Sequence, residues 1–121
     1  MKNFLIIGIL FTCALSSCYY DKEELLYTGP SVCDTALVTY SQSVVPIIAS
    51  SCLGCHGGAN ASAGIRLDNY NGVKNVASNG SLLGAITHSP AFSAMPKNGA
   101  KLSECNISRI RLWIAAGSPN N

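Results

Sequence analysis

Charge is scarce in this chain. Of its 121 residues only 12% are Asp, Glu, Lys or Arg, and 8 basic against 6 acidic side chains leave a formal net charge of +2. Disordered chains pair low hydrophobicity with high net charge, and nucleic-acid binders present a basic face, so both classes are excluded. Histidine (2), methionine (2) and tryptophan (1) are nearly missing. Mean hydropathy is +0.27, yet beyond residue 17 no apolar run approaches the ~18–20 residues that span a bilayer. No convincing run alternates β-branched with polar residues, which excludes a sheet and makes the expected fold class all-α. The length allows one domain.

The N-terminus is organised for export. Met1-Lys2-Asn3 is a short positive start, and the stretch from Phe4 to Leu15 has the length and apolar character of a signal-peptide core. Leu15-Ser16-Ser17-Cys18 resembles the lipobox of bacterial lipoproteins. That resemblance implies a signal peptide over residues 1–17, a lipid on Cys18 and a polar tether over 18–30. The folded domain then occupies 31–121. It also implies an extracytoplasmic protein anchored to the bacterial membrane, on the periplasmic face or the outer surface, because paired acyl chains give stable anchoring.

There are six cysteines. Cys13 leaves with the signal and Cys18 carries the lipid. Cys52 and Cys55 fall in Cys52-Leu53-Gly54-Cys55-His56, the attachment pattern of c-type haem. Two thiols two residues apart reach the vinyl groups on one porphyrin edge, and the next residue, His56, is aimed at the iron. At this composition the pattern arises by chance about 0.005 times per chain. A redox dithiol would need a strand-to-helix turn, and a zinc site would need a second ligand pair, where only His88 is left. Cys33 and Cys105 remain. In an oxidising compartment they read as one disulfide, with two buried free thiols as the alternative.

With these residues in place the stretch from Cys33 to Pro119 resembles the class I c-type cytochromes, specifically small single-haem lipoprotein cytochromes of bacteria. It shares an apolar helix running into CxxCH, a later Met95-Pro96 and a terminal helix containing Trp113. The resemblance implies three to five short helices wrapped around one covalent haem c, with His56 as proximal iron ligand and Met95 as distal ligand. Pro96 biases Met95 towards an extended backbone and so out of a helix. The alternatives for Met95 are a core gap-filler, His88 as the ligand, or an open sixth position.

A first helix is expected from Ser41-Gln42-Ser43 to near Cys52, with Pro46 in its first turn. A second runs over Tyr70–Ala77. A third is capped by Ser81 and covers Leu82–Ile86. The last covers 104–116 behind the cap Ser103, with Ile107, Ile110, Trp113 and Ile114 on one stripe and Arg109 and Arg111 facing solvent. Tyr70, Arg66 and Trp113 are the candidates to meet the haem propionates, Trp113 being at least as well suited to the core. The expected function is electron transfer between redox proteins that dock transiently; Lys97 and Lys101 flank the Met95 loop, either as plain solvated lysines or as charges that steer an acidic partner. Such a chain is monomeric, is not an enzyme and binds no nucleic acid. The alternative is a peroxidase-like or gas-binding haem protein with a labile or absent sixth ligand.

Overall fold

A computed structural model describes residues 33–121. The expected signal segment, the lipidated Cys18 and the 18–30 tether lie outside the described residues. Among the described residues the regular elements are all helical, with no strand, and no helix is long and apolar enough to cross a membrane.

A π-helical turn over Tyr40–Val44 leads into helix α1, Val45–Ser51. Thr39 opens the turn by accepting the Gln42 N–H on its hydroxyl at 3.2 Å. Pro46 sits in the first turn of α1, where its missing N–H leaves nothing unpaired. Cys52, at φ −124°, breaks the run, and one further turn, α2 (Leu53–His56), completes it. After a 3₁₀ turn at Ser62–Gly64 come α3 (Tyr70–Ser78), α4 (Ser81–Ile86) and α5 (Glu104–Ala115). Asn69 caps α3 by accepting from Gly72 N–H, and Ser103 caps α5 by accepting from Asn106 N–H.

Two local expectations are corrected. Ser81 is not the cap of α4 but its first residue; the cap is Gly80, at φ +80°. Leaving α3, the chain reverses through a left-handed residue, which glycine adopts without steric penalty. The Ser81 N–H is taken by Asn79 Oδ1 at 2.9 Å and its hydroxyl donates to the Val76 carbonyl. Nor does Arg109 simply face solvent: it is half-buried, and its Nε donates to the Asp34 carbonyl at 3.1 Å.

The core forms where α5 crosses the other helices. Ile107, Ile110 and Trp113 are fully covered on the expected stripe, against Val44, Ile47 and Ile48 from the first helical segment, Val73 and Val76 from α3 and Leu82 and Ile86 from α4. Tyr40 stands edge-on to Tyr70, ring centroids 5.1 Å apart, and lies 5.5 Å from the Trp113 ring. Aromatic pairs in such geometry add to simple area burial. Their polar ends are satisfied within the protein: Trp113 Nε1–H donates to the Pro119 carbonyl at 2.9 Å and Tyr70 O–H to the Ser118 carbonyl at 2.8 Å. The Asn121 side chain and carbonyl accept the Tyr40 and Ser41 N–H groups at 2.8 and 2.9 Å, filling donors that a helix start leaves open.

Cys33 and Cys105 are joined in a disulfide across 72 residues of sequence. It staples the segment before the first helix to the first turn of α5, and the Arg109–Asp34 bond backs it up. A cross-link enclosing so long a loop removes much of the unfolded chain's freedom. Cys105→Ser is therefore expected to lower unfolding free energy by roughly 2–5 kcal/mol, read as a drop in the midpoint of a denaturant titration; an unchanged midpoint would refute the staple.

Candidate functional site

The site starts from the CxxCH spacing. Cys55 and His56 lie three and four residues after Cys52, the separations that place side chains on one helix face. The α2 turn realises this: the Cys55 and His56 N–H groups both return to the Cys52 carbonyl, at 3.1 and 2.9 Å. Cys52 and Cys55 are free thiols rather than a disulfide, the first half-buried and the second exposed. Burial pushes the Cys52 thiol above its ordinary pKa and keeps it protonated.

His56 is held from behind. Its Nδ1 lies 3.0 Å from the Ile65 carbonyl. A carbonyl only accepts, so Nδ1 carries the ring proton and Nε2 keeps a free lone pair. This backing by a carbonyl orients metal-bound histidines and raises their basicity. Two further bonds tie the same segments together: the Leu67 N–H to the His56 carbonyl at 2.9 Å, and the Gly58 N–H to Asp68 Oδ2 at 3.0 Å. Asp68 in turn receives Arg66 Nη2 at 2.7 Å and Nε at 3.2 Å, and Asn69 Nδ2 at 3.0 Å. Arg66, first, and the Gly58 N–H, second, hold the Asp68 carboxyl down at about 2.

The other candidate ligand, Met95, sits on the loop that follows α4. Met95, half-buried, has both backbone polar groups engaged: its N–H donates to the Ala85 carbonyl at 3.0 Å, and its carbonyl accepts from His88 Nε2 at 3.1 Å. Phe92 packs against Gly84, where a Cβ would overlap the aromatic ring. Glycine in α4 thus lets the loop fold back onto the helix.

The structure groups Cys52, Cys55 and His56 on one turn and places Met95 and His88 in contact on another segment. The three propionate candidates are engaged within the protein: Arg66 with Asp68, Tyr70 with Ser118, and Trp113 with Pro119 in the core. Asp68 and Gly84 did not emerge from the sequence reading. For Gly84 a signal existed, since a glycine inside a helical stretch usually marks close packing; for Asp68 the only hint was its place two residues after Arg66.

The donor set fits a covalently bound haem. It offers two unpaired thiols for thioethers and an imidazole whose free nitrogen is fixed by a bond on the other. Ile65 and Phe92, both 39% exposed, lie on the segments that hold His56 and Met95 and leave apolar surface for a large apolar group to cover. Among the described residues no group of three or more His, Cys, Asp or Glu comes together as a zinc site requires.

A family model described as Planctomycete cytochrome C matches residues 52–99, a span running from the first thiol of the motif past Met95. No curated protein and no solved structure matches the chain.

Gly84→Ala is expected to cost about 1–3 kcal/mol by overpacking against Phe92 and to speed hydrogen exchange at the Met95 amide more than in α5. Asp68 supplies a second test. Its folded pKa is depressed from the ~3.9 of an unfolded chain to about 2. Its contribution is complete above about pH 4 and is lost as pH falls towards 2. Protection of the Gly58 amide is expected to fall across that window in the wild type and to show no such step in Asp68→Asn.

Proposed function

We propose that this chain, which is similar over residues 52–99 to a cytochrome c family model, is a one-electron carrier with a single haem c held by Cys52 and Cys55 and ligated by His56 and Met95. The family supports haem-based electron transfer in general. The observation that carries the finer reading is the His56 ring, whose Nδ1–H is taken by Ile65 so that Nε2 is presented beside two free thiols. When bound, the haem supplies a reversible one-electron couple.

The residues around it have separable tasks. Cys52 and Cys55 provide the sulfurs for the thioether bonds, and their place on one turn sets the edge to which they attach. The Ile65 carbonyl keeps the imidazole oriented and electron-rich. Met95 brings a thioether donor, which favours the reduced state more than a second imidazole does. Were His56 and Met95 both to ligate the iron, no coordination site would be left for a substrate, which is the arrangement of a carrier and not of a peroxidase-like protein.

The surroundings support an exported carrier. Cytochromes c are typically extracytoplasmic, and the Cys33–Cys105 disulfide suits an oxidising compartment. Lipidation at Cys18 would hold the domain, as a monomer, at a membrane surface where redox proteins dock transiently. Of the two lysines near the Met95 loop, Lys101 is paired with Glu104 at 2.7 Å, while Lys97 reaches only the Ser93 hydroxyl at 3.4 Å. Lys97 is therefore the better placed to steer an acidic partner.

Expression with a cytochrome c maturation system is expected to give covalent haem and a low-spin spectrum in both oxidation states. Met95→Ala is expected to lower the reduction potential and admit carbon monoxide to the ferrous protein. A high-spin wild type that binds carbon monoxide readily would favour the gas-binding or peroxidase-like reading, and a protein without covalent haem would end both.

A further inference from the structure

The loop that carries Met95 holds the second histidine of the described residues in an unusual state. His88 has a backbone φ of +56°, in the left-handed region that residues with a Cβ seldom enter. Its ring crosses the loop, and Nε2 lies 3.1 Å from the Met95 carbonyl. The carbonyl can only accept, so the proton sits on Nε2 and that nitrogen is committed. The Met95 N–H goes to the Ala85 carbonyl at 3.0 Å. Met95 is thus pinned on both sides of its side chain to the end of α4.

We propose that His88 is a positioning residue for the sixth coordination site: a latch that holds the Met95 backbone, so that external ligands are kept off the iron. This rests on the reading of Met95 as the distal ligand. A thioether is a weak ligand, and it leaves when the backbone carrying it moves. Movement of Met95 away from α4 must break the His88 bond, so that bond lowers the population of the open form. One net hydrogen bond changes such a population by about three- to tenfold. The same bond argues against His88 as a ligand through Nε2, since coordination would require giving up the Met95 carbonyl and re-aiming the ring.

The experiment compares imidazole binding to the ferric wild-type, His88→Asn and His88→Gln holoproteins by visible spectroscopy. Asparagine tolerates positive φ, but its amide nitrogen falls near the position of Nδ1 and does not reach the Met95 carbonyl. Glutamine places an amide N–H close to the position of Nε2. Imidazole is expected to bind His88→Asn about three- to tenfold more tightly than wild type, with His88→Gln within about threefold. Exchange of the Met95 amide is expected to quicken in His88→Asn relative to amides of α5. Equal imidazole binding by wild type and His88→Asn, or equal opening in both variants, overturns the latch alone. A wild type without methionine-bound iron, including one ligated by two histidines, overturns the latch and the proposed axial ligation together. Should His88→Asn not assemble, His88→Gln decides, and an affinity gain beyond about threefold overturns the latch.

Discussion

The bond from His56 Nδ1–H to the Ile65 carbonyl is the contact on which the reading of the site depends. It fixes which nitrogen of the imidazole bears the proton and so which is left to bind a metal. The bond exists because the chain, after the α2 turn and the loop through Ser62–Gly64, comes back alongside His56. Leu67 N–H to His56 carbonyl and Gly58 N–H to Asp68 close that return on either side of it. The orientation of one ring is thus set by three hydrogen bonds between segments about ten residues apart, with Arg66 holding Asp68 in place.

A domain this small has a thin core, and its construction shows how that is managed. Thirteen apolar residues make up the buried cluster, with α5 supplying its centre. The disulfide, the Arg109–Asp34 bond and the Asn121 contacts with Tyr40 and Ser41 draw the two ends of the described chain onto that centre. Small domains commonly add such staples where apolar burial alone is marginal. A buried haem would extend the core further, since a group that binds only the folded chain stabilises it.

The two segments that carry the candidate ligands are held by different means. His56 rides on a helical turn and is backed by a loop carbonyl. Met95 rides on a loop and is held by its own backbone, through Ala85 and His88, and by the fit of Phe92 on Gly84. Cys52, Cys55 and His56 are brought together by one local turn, with the His56 ring oriented by the returning Ile65 segment, whereas the position of Met95 depends on the whole α4 turn being formed.

What the residue order settled by itself was local. The CxxCH spacing named Cys52, Cys55 and His56, because two thiols and an imidazole on one turn are a short-range pattern. The cap Ser103, the stripe of Ile107, Ile110 and Trp113, and the leftover pair Cys33 and Cys105 were legible for the same reason. Periodicity and pairing by count survive without a fold. The fate of polar atoms was decided only by tertiary structure. Tyr70 meets Ser118 across 48 residues and Arg109 meets Asp34 across 75. His88 reaches the Met95 carbonyl only because Gly84 lets the loop fold back. A donor's partner is whichever acceptor the packed chain brings within about 3 Å, and no spacing along the sequence encodes that distance.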